Sequence, residues 1–406
     1  MGAESMDDAQ VLIAGGGLTG CITACLLHDR GVKVLIVDRL GEVMQGASRW
    51  NEGKIHLGYT YVGTGSVRTA ELMLAGAATF QPLVERVTGM RLDDDMFTRP
   101  IVYLVDVNSI FPSDVLWQRT QAVHALVEEA AVRYPWIAAG HPSDTALRRL
   151  DPYVAAEATQ QTNVVAAWST PERAICTRVL ADRVAAAVRA RDIPTIRGEI
   201  DSIEDMAGHW KISLAHEASV RGRVIVNALW EDRSRIDRRF SQKGPVSIRW
   251  KAAVFARGQR QFGDLTPSTR ILGGYGDITP YGNGDVYLSW YPSNMIARSD
   301  DGSAPTIPDF DRTEMMRRTL EGLCLPPEIL GETDPQACVR GGYVVARGSG
   351  DIYETTSPLH DRSAAFAVEL APGLVSVDSG KLTTAPLFAE RAARLVLGRL
   401  GKEAAA

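Results

Sequence analysis

The pattern of apolar and polar positions is most regular near the start of the chain. Residues 11–14 are a short apolar run that reads as a buried strand, residues 21–28 have helical character, and residues 32–37 form a second β-branched run. Gly15, Gly17 and Gly20 lie between the first strand and the helix at GxGxxG spacing. Strand, glycine turn, helix and strand in that order predict a dinucleotide-binding unit.

Farther on, the pattern predicts helices over 113–133, 172–189, 310–322 and 387–400. Strands are expected over 194–200, 210–214, 223–226, 246–256, 286–290, 339–346 and 373–377. Glycine-rich turns such as GGYGDITPYGNGD separate the strands of the third quarter, as in an antiparallel sheet. The final strand, turn and helix echo the opening unit. The expected fold is therefore mixed α/β, α+β overall: a Rossmann-like nucleotide domain with an inserted antiparallel-sheet substrate domain. The nucleotide domain is discontinuous, at 1–80, 160–240 and 340–406, and the substrate domain takes 81–159 and 241–339.

At 406 residues, two domains are the natural expectation. A net charge of -5 without Lys/Arg-rich runs argues against nucleic acid and for a small-molecule partner. There is no run of apolar residues long enough to span a membrane, and MGAESMDDAQ lacks the blocks of a secretion leader, so a cytoplasmic protein is expected. The five cysteines are odd in number and scattered, which fits reduced thiols. Cys21 and Cys25, one helical turn apart, read as packing residues, the alternative being thiols activated by the helix dipole.

Each residue of the glycine turn has a task. Gly15 permits the turn, Gly17 lets a pyrophosphate approach the backbone, and Gly20 brings the helix close to the strand. Leu18 and Thr19 complete the turn that faces the phosphates at the helix amino end. Asp38, 18 residues past Gly20, stands where a carboxylate accepts from a ribose hydroxyl. Arg39 beside it raises the option of a phosphorylated ribose, but the carboxylate argues for an unphosphorylated one, as in FAD or NAD.

Four segments, GGGLTG with Asp38, ASRWNEGKIHLGYTY, VRGRVIVNALW and GLVSVDSGKLTTAPLFAE, make the chain resemble the D-amino-acid-oxidase-like flavoproteins. That superfamily includes glycine, sarcosine and D-amino acid oxidases and 2-hydroxyglutarate and glycerol-3-phosphate dehydrogenases. NEGKIHLG is similar to the loop of 2-hydroxyglutarate oxidases and dehydrogenases that passes under the isoalloxazine ring. The resemblance implies non-covalent FAD and oxidation of a CH–OH or CH–NH centre, with oxygen or a carrier as acceptor. It implies cofactor contacts from Ser48, Asn51, Gly53, Asn227, Ala228, Gly380, Lys381, Leu382 and Thr383, in addition to the glycine turn, Asp38 and Arg39. The chain departs from the family at Leu229-Trp230-Glu231, where relatives keep a glycine.

His56 is the expected base, since imidazole titrates near neutrality. Arg340, with Arg347 as its rival, would fork a substrate carboxylate, and the resemblance implies that Lys251 promotes oxygen reduction. Cys338 lies where sarcosine oxidases attach FAD covalently, yet its surroundings match poorly. The aromatic run YLSWYP, with Tyr275 and Tyr281, reads either as a pocket wall for a sizeable metabolite or as core. No second dinucleotide fingerprint is visible, which ranks a monooxygenase using external NAD(P)H second and a non-catalytic binding protein third.

Overall fold

The computed structural model describes residues 9–138, 146–216, 218–240, 244–257 and 262–402. Residues 1–8, on which the absence of a leader was argued, lie outside them. Two large sheets organise the chain. The first has the order Phe366–Ala371, Leu374–Asp378, Val224–Asn227, Val11–Ala14, Val34–Asp38, Thr195–Arg197. Its pairings are parallel apart from the Phe366–Ala371 edge.

This sheet is covered on both faces, which is why its strands are continuous apolar runs rather than alternating ones. Val11, Ile13, Ile36 and Val226 pack under the helices Leu18–His28 and Ala385–Arg399. Leu12, Leu35 and Ile225 point the other way, onto Ile203, Trp210 and Ile212 of a small antiparallel sheet. The close approach at the glycine turn is steric. A Cβ on Gly20 would lie 1.9 Å from the Gly15 carbonyl oxygen, and Gly15 itself has φ +103°.

The second sheet has nine strands and is mainly antiparallel. Its long strand Val246–Ala256 pairs with Val286–Trp290, Met295–Ser299 and Val339–Arg347. Val164–Ser169 and Val339–Arg347 both belong to it, although the sequence ranges 160–240 and 340–406 assign them to the nucleotide domain. Sheet membership is set by hydrogen-bond partners far away in sequence, and composition does not report it.

The helix Ser113–Arg133 has the bounds expected, and Asp311 caps Arg312–Gly322 by accepting from Thr313 and Glu314. The helix expected over 172–189 instead spans Thr177–Ala190, because Arg173–Ala174 pairs as a strand with Lys54–Ile55. The helix Arg68–Thr88 went unpredicted, and it carries Pro82 in its interior.

A buried ionic knot fixes the end of the parallel sheet. Arg233, 2% exposed, bonds Asp237 at 2.5 Å and Asp378 at 2.8 Å. Asp237 also accepts from Asn227 and Ser376. Asp237→Ala leaves Arg233 with Asp378 alone and takes the acceptor from Asn227 and Ser376, and we expect it to cost about 3–5 kcal/mol in urea unfolding. A loss below about 1 kcal/mol would show that the knot is dispensable.

Candidate active site

A cleft runs from the glycine turn to the face of the nine-stranded sheet. At its first end Gly15, Gly17, Leu18, Thr19, Asp38 and Arg39 line the wall. Gly17 caps the first helix without any side-chain hydrogen bond, and a Cβ there would meet only Ser48 Oγ. The positive end of the helix thus opens onto the cleft. Asp38 accepts from the Gly16 and Leu40 amides at 2.8 and 2.9 Å, which fixes the orientation of its carboxylate. Arg39 is engaged by Glu231 at 2.6 Å, so its charge is already matched.

At the other end the loop carrying Lys54 and His56 is held from two sides. The His56 amide donates to Thr383 Oγ1 at 2.8 Å, and that hydroxyl donates to the Lys54 carbonyl at 3.0 Å. From below comes Glu172, with no solvent exposure. Its carboxylate accepts from the Leu57 amide at 2.6 Å and from the Tyr103 hydroxyl at 2.5 Å. His56 Nδ1 lies 3.3 Å from Glu172 Oε1, and the imidazole lines the cleft. Burial alone would push the Glu172 carboxyl up, but His56, Tyr103 and the Leu57 amide outweigh it and hold it below the usual glutamate range.

Three lysines and two carboxylates surround this end. Lys54 and Lys251 share Asp277, at 2.5 and 3.6 Å, and Ser289 and Thr269 donate to the same carboxylate. Lys251 also stands 4.1 Å from the centroid of Tyr291. Burial opposes its charge, yet the neighbouring tyrosines, Asp277 and Glu52 keep it cationic. Lys381 has no such partner within ion-pair distance among the described residues. Burial first, then Arg362, push it down to about 7, against the pull of Glu52.

Several residues expected at the site stand elsewhere. Arg340 does not line the cleft: it donates to the Gln336 and Val339 carbonyls and lies over Trp50. Arg347 reaches Asp378 and the ring of Phe366. Gly53 is packed away from the cleft, where a Cβ would come 1.8 Å from the Ile175 carbonyl oxygen. Asn227 is fully buried and bonds Arg233 and Asp237, and Thr383 acts as the loop clasp rather than as a wall. Asn51 lines the cleft, but its amide is spent on Ala47 and Gly53.

Ser48, Ala228, Gly380, Lys381 and Leu382 do line it. Trp230 occupies the place of the missing glycine with φ +56° and ties its indole to the Tyr343 carbonyl. Burial pushes Cys25 up to about 11 and raises Cys21 and Cys338, so all three are inert packing thiols. Of the aromatic run, Tyr291 reaches the cleft and Tyr287 is core. Glu172 and Lys54 were missed. Glu172 read as the first residue of a helix, and only its burial beside His56 reveals it.

A family model described as FAD dependent oxidoreductase matches residues 10–395. No curated protein matches the sequence. The fold is similar to that of glycine oxidase from Geobacillus kaustophilus, at 16% identity and TM-score 0.66, over 98% of this chain and 95% of that one. Iminodiacetate oxidase from Chelativorans sp. BNC1 has 16% identity and TM-score 0.63, covering 98% and 96%. L-alpha-glycerophosphate oxidase from Mycoplasma pneumoniae, solved with FAD bound, has 16% identity and TM-score 0.63, covering 95% and 94%.

The lowered Lys381 makes a stability prediction for the flavin-free chain. Its folded value is about 7 against 10.5 ordinarily, so between those values the unfolded chain binds more protons and stability rises with pH. Lys381→Met removes that slope. We expect the variant to be more stable than wild type in urea at pH 7, with the gap closing towards pH 10. An equal gap at both pH values would contradict the assignment.

Proposed function

The chain belongs to the family of FAD-dependent oxidoreductases, and from that membership we propose that it oxidises a CH–OH or CH–NH centre of a small polar metabolite. The observation that carries this reading is His56 set on the cleft wall beside the buried carboxylate of Glu172. The walls fit FAD. The open face of Gly17 and the helix end suit its diphosphate, Asp38 its ribose, and the far end of the cleft has room for the ring system.

Bound FAD supplies the two-electron acceptor, which no side chain here provides. The chain's own residues manage the proton and the placement. With Nδ1 turned to Glu172, His56 presents Nε2 as the base that takes the proton from the substrate hydroxyl or amine. Glu172, whose Oε1 lies 3.3 Å from Nδ1, is a positioning residue for the ring. Lys381 sits at the amino end of the last helix, where a positive group favours an anionic reduced cofactor. The cation on Lys251 favours an acceptor reduced to an anion, oxygen among them. The buried thiol of Cys338, off the cleft, supports non-covalent attachment.

The decisive measurement is anaerobic: the yellow protein is mixed with panels of hydroxy acids, amino acids and amino sugars, and bleaching is followed. One class should reduce it. His56→Asn should slow that reduction by about 10²–10⁴-fold. Glu172→Gln should slow it less and shift the pH–rate profile to lower pH, which a purely structural role would not do. Acid precipitation should leave the colour in the supernatant; colour in the pellet would contradict non-covalent binding.

A further inference from the structure

An ion pair bridges the first end of the cleft. In the parallel sheet, Val11–Ala14 lies between Val224–Asn227 and Val34–Asp38, and the glycine turn leaves the end of that middle strand. Arg39 directly follows one flanking strand, and Glu231 lies four residues past the other. Adjacent strands stand about 5 Å apart, so a pair drawn from these two spans about 10 Å of sheet edge. Arg39 Nη2 and Glu231 Oε1 close that span at 2.6 Å. They cross the end of the strand that feeds the glycine turn, which is where a dinucleotide rests in such a sheet.

The two halves of the pair differ. The Arg39 side chain is 50% exposed, and that of Glu231 only 11%. Burial pushes the Glu231 carboxyl up and Arg39 pulls it back, so without Arg39 the acid loses the group that favours its charge. Glu231 is also held from behind. Trp230, in the left-handed region at φ +56°, turns the chain, and its indole donates to the Tyr343 carbonyl at 2.8 Å. Trp230 and Tyr343 pack on Val246, Ile248 and Val345 of the nine-stranded sheet. On the other side Asp232 accepts from Arg235 at 3.0 Å, and Arg235 donates to the Ile200 carbonyl of the small antiparallel sheet at 2.6 Å.

The turn 229–232 is thus tied to two sheets while its acid reaches a third. A left-handed tryptophan is costly, and it persists here because these anchors impose it. A half-exposed ion pair adds little to folding, so a strained turn that presents one to a cleft points to a ligand. Trp230, Glu231 and Arg39 all line that cleft.

We propose that Arg39 and Glu231 form a latch across the adenosine end of the cleft, which must part before FAD leaves. This rests on the reading of the cleft as an FAD site. It also gives the departure at Leu229-Trp230-Glu231 a role: the segment that lacks the glycine carries one half of the latch.

The test measures how fast bound FAD escapes. The flavin-loaded protein is diluted into phosphodiesterase, which cleaves FAD once it is free, and the rise in flavin fluorescence gives the release rate. Glu231→Gln and Arg39→Gln should each release FAD about tenfold or more faster than wild type. The double variant should be no faster than the faster single one, because the second substitution finds the latch already open. Trp230→Phe, which removes the N–H to Tyr343, should speed release severalfold, and with Arg39→Gln it carries the test if Glu231→Gln does not fold. Release at the wild-type rate from Glu231→Gln overturns the latch, as does a double variant whose acceleration is the product of the two single ones. Acceleration by Arg39→Gln alone places Arg39 on the cofactor by itself and overturns it too. A wild-type chain that never takes up FAD loses the flavin reading. One that holds FAD, beside variants that release it no faster, keeps that reading and loses only the latch.

Discussion

A carboxylate sealed from water must be fully satisfied, and Glu172 is the point where that requirement shapes this protein. It comes from the loop that follows a strand of the large sheet. Its partners are the amide of Leu57, the hydroxyl of Tyr103 and the ring of His56. Loop, sheet and imidazole are thus set against one another by a single buried charge. The Thr383 clasp adds the last helix to the same assembly. Without these ties the loop would have no reason to present His56 to the cleft.

The cleft is electrostatically graded along its length. Its first end combines a helix amino terminus with one oriented carboxylate, while Arg39 and Glu231 cancel each other. Its far end is rich in buried cations. Asp277 holds two of them, Lys54 at 2.5 Å and Lys251 at 3.6 Å.

The fold was legible wherever local sterics decide the structure. The run from Val11 to Asp38 could be read residue by residue, since only glycine tolerates the approach between Gly20 and the Gly15 carbonyl. The helix Ser113–Arg133 was read to its ends. Prediction failed where a long-range partner overrode local propensity. Residues 172–174 have helical neighbours, yet they extend because Lys54–Ile55 offers a strand to pair with. Gly53 was assigned to the cofactor for its backbone freedom, and its real constraint is the Ile175 carbonyl.

The sequence by itself therefore determined the glycine turn, the acid at the end of the second strand, the mixed α/β class and His56 as the residue to watch, because each rests on neighbours a few positions apart. Tertiary structure alone decided which charges are matched. Arg340, Arg347, Arg249 and Arg362 are equivalent as letters; the first two find carbonyls and an acid, and the last two are buried with donors to spare. Charge neutralisation depends on distances across strands and on the water that burial removes, and neither is written in the order of residues.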